Sequence, residues 1–142
     1  MALHSDPITA EVVALFGRIV TRYNAEYDEV AQRHALTRLQ CRALLALEEP
    51  KPMRELAARL RTEPPNLTGI VDRLEARGLI ERQAAPGDRR VKRIAITEAG
   101  RTVTKDFKAS MSFAAHPLAT LNPTQRRQLR DLLRLMYDQP DP

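Results

Sequence analysis

The sequence predicts a mainly α-helical chain with one small β-hairpin, and three observations predict it. Apolar residues recur at three- and four-residue intervals along most of the chain, the period of a helix buried on one face. Stop and start signals punctuate that pattern, among them a capping box at Thr37-Arg38-Leu39-Gln40 and a glycine, Gly78, just past a helical stretch. Two stretches, residues 79–84 and 91–97, read instead as strands, joined by Ala85-Pro86-Gly87-Asp88-Arg89-Arg90, whose Pro-Gly-Asp core is turn chemistry.

The first helix is predicted over residues 8–33, with Val12, Phe16, Ile19, Tyr23, Tyr27 and Val30 on one stripe. A helix of about seven turns is too long for a small domain to cover alone, so part of the stripe is expected to face another subunit. The second helix starts at the Thr37 capping box, with Leu36 and Cys41 as a hydrophobic staple. It runs through Leu44, Leu45 and Leu47 and stops at Glu49-Pro50, because the residue before proline resists helical geometry. A short third helix, 53–60, buries Leu56, Ala57 and Leu60 and lacks a side-chain cap. After a turn at 61–64, a fourth helix covers about 65–77, with Leu67, Ile70, Val71 and Leu74 inward and Gly78 as a left-handed cap. Paired prolines are tolerated at its start, since first-turn amides have no intrahelical acceptor to lose. The hairpin follows; Thr97 then caps a fifth helix to about residue 115. Asn122-Pro123 opens the last helix, with Leu129, Leu132, Leu133 and Met136 as its stripe. Residues 139–142 are expected to fray.

Length and composition narrow the function. The 142 residues suffice for one well-packed domain. Lysine plus arginine number 23 against 18 acids, a net charge of +5 that favours a polyanionic partner. Aromatic residues make up 4% and tryptophan is absent, which disfavours an RNA-binding sheet that stacks bases. The single cysteine, Cys41, excludes an intrachain disulfide and a cysteine-rich zinc site. No apolar run approaches the ~20 residues needed to span a bilayer, and the start of the chain lacks a signal-peptide pattern. A cytoplasmic protein without membrane partner is expected. His4, His34 and His116 are scattered, and neither a phosphate-binding glycine loop nor a nucleophile elbow is present. No enzyme, metal site or cofactor is expected.

The third and fourth helices and their tight turn fit a helix-turn-helix, whose second helix enters the major groove. Once the buried stripe of the fourth helix is subtracted, Pro65, Asn66, Thr68, Gly69, Asp72 and Arg73 remain outside. Asn66 can address adenine, Thr68 a thymine methyl or a phosphate, and Arg73 a phosphate or guanine. A solvated polar face would look the same. Mid-helix Gly69 costs about 1 kcal/mol against alanine, which close approach to another surface would compensate. The hairpin decides between these readings. Arg89, Arg90, Lys92 and Arg93 crowd a tip with no apolar reason to protrude, and an arginine there suits the narrow, strongly negative minor groove. Asp88 is expected to hold Arg90 extended through a charged hydrogen bond.

The segments from Asp72-Arg73-Leu74-Glu75-Ala76-Arg77-Gly78-Leu79-Ile80-Glu81-Arg82 through Asp88-Arg89-Arg90 to Ile96-Thr97-Glu98-Ala99-Gly100 resemble the signature of the MarR family of winged-helix transcriptional regulators. The resemblance covers nearly the whole chain. It implies a single intertwined domain: a helical dimerisation region of residues 1–35 and 98–142, and a winged helix-turn-helix DNA-binding region of residues 36–97. It further implies a homodimer, a fourth helix in the major groove, and Arg90 in the minor groove steadied by Asp88. Many members bind small aromatic acids or phenols between the dimerisation helices and the DNA-binding lobe. Tyr23, Arg38 and Cys41 are the candidates for that role here. Core packing for Tyr23, a surface position for Arg38 and a buried, inert thiol for Cys41 are the competing readings.

The chain therefore reads as a sequence-specific double-stranded-DNA-binding regulator, a dimeric ligand-responsive repressor on a pseudo-palindromic operator. The rivals are a non-sequence-specific architectural DNA protein, with a specificity ratio near one rather than ~10³ or more, and a winged-helix module that binds protein instead.

Overall fold

The computed structural model describes residues 6–140. In chain order the elements are α1 (Pro7–Arg33), α2 (Arg38–Leu45), β1 (Lys51–Pro52), α3 (Met53–Leu60), α4 (Pro64–Ala76), β2 (Ile80–Ala85), β3 (Asp88–Ile96), α5 (Glu98–Ser110) and α6 (Pro123–Tyr137). The architecture is the mainly helical winged helix-turn-helix that the sequence predicts. His4, Asp141 and Pro142 lie outside the described residues.

Asp6 starts α1 by accepting hydrogen bonds from the amides of Ile8 and Thr9, each at 3.0 Å. The 27 residues of α1 give a rod of roughly 40 Å at 1.5 Å per residue. Only its C-terminal part joins the core: Tyr27, Val30 and Ala31 are buried, whereas Val12 and Ile19 are exposed. The predicted capping box of α2 is formed reciprocally, Gln40 N to Thr37 Oγ1 at 3.1 Å and Thr37 N to Gln40 Oε1 at 2.9 Å. The helix ends at Leu45, earlier than expected, and residues 46–49 form a turn.

That turn leads into β1, an element the sequence analysis does not foresee. Lys51 pairs with Ile94 and Pro52 with Arg93, so the sheet order is β1-β3-β2. Two residues carry no periodicity, and a proline discourages a strand reading, but Pro52 is harmless on an edge where no amide is required. At the end of α4, Gly78 adopts φ +71°. Its amide bonds Glu75 O at 2.9 Å and the Leu79 amide bonds Leu74 O at 3.0 Å, the double closure of a Schellman motif. The hairpin turn is tighter than predicted. Pro86 and Gly87 alone lie outside the strands, Gly87 has φ +80°, and Ala85 pairs with Asp88 beside a register irregularity. Arg89 and Arg90 thus belong to a strand and not to a loop.

Helix α5 stops at Ser110, short of the predicted residue 115, and Glu26 is the reason. Its carboxylate accepts the amides of Phe113 (3.0 Å) and Ala114 (2.6 Å) and the Ser112 hydroxyl (3.1 Å). Donors engaged by a carboxylate are lost to a continuing helix. One apolar cluster unites Val30, Leu44, Leu56, Leu67, Val71, Leu74, Ile94 and Phe107, drawn from α1 to α5. Helix α6 contributes no buried residue.

Candidate nucleic-acid interface and effector cleft

The chemistry of α4 follows from its register. Leu67, Val71 and Leu74 are fully buried, so Pro65, Asn66, Thr68, Gly69, Asp72 and Arg73 are turned to solvent. The Thr68 hydroxyl donates its one proton to Pro64 O at 3.1 Å, which leaves the methyl and the hydroxyl lone pairs for a partner. A Cβ on Gly69 would meet no heavy atom within 4 Å. No neighbour within the chain therefore requires glycine, and its helical cost stands unexplained by packing.

In the hairpin, Arg89, Arg90 and Lys92 are exposed, and none of them forms an ion pair among the described residues. The expected charged bond from Asp88 to the Arg90 guanidinium is not made. The Asp88 carboxylate accepts the backbone amide of Arg90 at 2.9 Å, an Asx turn that shapes the tip and leaves the guanidinium free. Arg93 differs from its basic neighbours: it is half-buried beside Pro52, and its Nε has no hydrogen-bond partner among the described residues.

Two arginines that the sequence analysis assigns no role hold this unit together. Arg82 on β2 reaches back to α4, its guanidinium lying 2.6 Å from Asp72 and pairing also with Glu75. Arg77, at the end of α4, donates to the carbonyls of Ala35 and His34 at 2.8 Å each. Helix α4 is thereby tied to the turn between α1 and α2. His34 continues the chain of contacts to Asp106 of α5 at 2.6 Å. Both arginines sit inside the quoted sequence signature, but their partners lie in other elements, so spacing alone does not reveal the pairs.

The three proposed effector residues are not brought together. Cys41 is completely buried, and burial pushes its thiol up to about 12, which fits the reading of an inert core residue. Arg38 is engaged in a two-bond fork with Asp28 of α1, at 2.9 and 2.7 Å, and that hydrogen bond holds the Asp28 carboxyl below its usual range. Tyr23 alone lines a cleft, of about 260 Å³, between α1, α2 and α3. Its hydroxyl lies 3.5 Å from that of Tyr27, with ring centroids 5.0 Å apart. The cations that line this cleft are Arg42 and Arg59. Both lie on outward positions of amphipathic helices, where a single sequence reads as solvated charge.

Residues 36–92, the segment with this interface, match the family model described as MarR family. The chain is 32% identical over 103 residues to the HTH-type transcriptional regulator MT0903.1 of Mycobacterium tuberculosis, covering 72% of each protein. It is 29% identical over 134 residues to the HTH-type transcriptional repressor NicR of Pseudomonas putida, covering 92% of this chain and 85% of that one. The crystal structure of CouR from Rhodococcus jostii RHA1 bound to p-coumaroyl-CoA superposes with a TM-score of 0.73 at 28% identity, covering 97% of this chain and 99% of CouR. These relatives are transcriptional regulators, not enzymes, and among the described residues no helix is long and apolar enough to cross a membrane. Family model, sequence relatives and fold agree: the chain belongs to the MarR family.

Proposed function

We propose that this DNA-binding transcriptional regulator is a homodimeric, ligand-responsive repressor that reads a pseudo-palindromic operator, with its α4 helices in successive major grooves and Arg90 of each hairpin in the flanking minor groove. The cytoplasm is its place of action. The observation that carries the reading is a hairpin tip whose cations, Arg89, Arg90 and Lys92, form no ion pair among the described residues, joined through Arg82 to a helix whose outward face is Asn66, Thr68, Gly69 and Arg73. Such a unit combines base-edge contacts with phosphate and minor-groove contacts. Gly69 supports it, because a helix surface without a side chain permits the close approach that nothing inside the chain demands. Residues 36–97 form the reading region and residues 1–35 with 98–142 the dimerisation region. Selection of bound sequences from a random DNA pool tests this. A two-fold-related motif with half-sites about 34–36 Å apart is expected; a pool that stays random at saturating protein refutes sequence-specific reading.

The effector reading keeps Tyr23 and replaces Arg38 and Cys41 by Arg42 and Arg59. A phenol or small aromatic carboxylate has the right chemistry for a cleft with a tyrosine pair and two guanidinium groups. CouR, with its phenolic thioester ligand, supports the class. The Arg77 contacts to the α1–α2 turn offer a route from this cleft to α4. Thermal shift with a panel of aromatic acids and phenols tests the cleft: a ligand that raises Tm in the parent chain but not in Arg42→Ala/Arg59→Ala is expected, and no shift with any of them excludes it.

A further inference from the structure

Two carboxylates stand on the helix that reads DNA. Asp72 and Glu75 project from α4 one turn apart; Asp72 is exposed and Glu75 half-buried. Bare acids there would repel a polyanion, and their charge would act across the short distance between a groove-bound helix and the flanking phosphates. Both meet the same guanidinium, that of Arg82, which approaches Asp72 at 2.6 Å and pairs also with Glu75. Arg82 lies on β2, the strand that leaves α4 through Gly78 and rises to the hairpin tip, and its partner on β3 is Ile94. The Arg82 side chain is 30% exposed, less than either carboxylate partner at 59% and 39%. It is spent within the protein, in contrast to the free cations at the tip. A planar guanidinium held by two carboxylates from one helix has a defined orientation, which a single flexible ion pair lacks.

We propose that Arg82 is a positioning residue for operator recognition: by bridging Asp72 and Glu75 it locks the hairpin to α4 at the spacing of major groove to minor groove, and it cancels two carboxylates that the DNA would otherwise face. The inference rests on the reading of α4 and the hairpin as the DNA-contacting pair. It assigns Arg82 an effect on affinity without a phosphate contact of its own.

Salt dependence separates that role from direct contact. Each lost phosphate contact flattens the slope of log K against log salt by about one unit, whereas a positioning residue leaves the number of released counterions nearly unchanged. The experiment compares the full-length parent, Arg82→Met, and Arg82→Met with Asp72→Asn and Glu75→Gln, on the selected operator across a salt series. Circular dichroism and sedimentation confirm that each variant is folded and in the parent's oligomeric state. Arg82→Met is expected to weaken binding roughly tenfold, within the range seen for coupled neighbours, with the parent's salt slope. Neutralising the two carboxylates in addition is expected to recover a measurable part of that loss. Parent-like affinity of a folded Arg82→Met overturns the proposal while leaving the DNA reading intact. A slope flattened by about one unit, without recovery in the triple variant, overturns it in favour of a direct phosphate contact. Failure of the parent itself to select a sequence strikes the underlying DNA reading instead.

Discussion

At Gly100 one missing methyl group decides how α5 meets the sheet. A Cβ there would lie 2.2 Å from Leu79 O and 2.6 Å from Ile96 Cγ1, so the helix start could not sit where Thr97 caps it. Gly100→Ala is expected to lower stability by about 1–3 kcal/mol, the usual cost of overpacking. An unchanged urea midpoint would show that α5 shifts freely. Arg90 illustrates the opposite case, a residue unconstrained within the chain. Its side chain has no partner among the described residues while its amide is fixed by Asp88. Arg90→Ala should therefore leave folding intact and weaken operator binding by about 1–3 kcal/mol. Equal affinity of mutant and parent at one salt concentration would remove Arg90 from the interface.

Among the elements, the short α5 shows how one carboxylate redirects a chain. Desolvation acts to raise Glu26, yet hydrogen bonds from the Ala114 and Phe113 amides and the Ser112 hydroxyl outweigh it and hold its carboxyl below the ordinary glutamate range. A group whose folded pKa is depressed contributes stability above its unfolded pKa and loses it as pH falls through the folded value. Stability should consequently fall on acidification below pH 4.5, and Glu26→Gln should show a smaller part of that fall. Urea midpoints at neutral and acid pH measure the difference. An identical pH dependence in the two proteins would mean that the 111–115 segment is held by other contacts. The helix-turn-helix itself is tied differently, through Arg77 to the α1–α2 turn and through Arg82 to the hairpin. These polar ties hold the helix-turn-helix and hairpin together and anchor them to the end of α1.

On the scale of the whole molecule, two sets of apolar side chains lie uncovered among the described residues. Ile8, Val13 and Val20 on α1 are 73, 63 and 55% exposed, and Leu132, Leu135 and Met136 on α6 are 58, 71 and 52% exposed. Large apolar side chains left exposed along two helices favour an interface over an ordinary solvated face. The homodimer proposed above, packed through α1 and α6, would supply the cover and set the separation of the two α4 helices. Leu132→Glu with Met136→Glu should yield a monomer that has lost operator binding. Sedimentation of the unmodified chain as a stable species of 16.1 kDa would contradict the dimer.

Much of this protein was legible in its residues one after another. The helical period, the Thr37 capping box, the Gly78 cap and the Pro-Gly turn are local physics, and each formed where the sequence places it. The resemblance carried by residues 72–100 identified the family for the same reason, since a motif is contiguous. The outward face of α4 followed from subtracting its buried stripe. Other features needed the fold. The Glu26 carboxylate ended α5 from 87 and 88 residues away, and β1 exists only because β3 lies beside it. Arg38 was drawn to Asp28 and Cys41 into the core, while Arg42 and Arg59 came to line the cleft with Tyr23. A sequence displays what each side chain is able to bond. Which of several able partners it meets depends on distances between elements, and tertiary packing alone sets those.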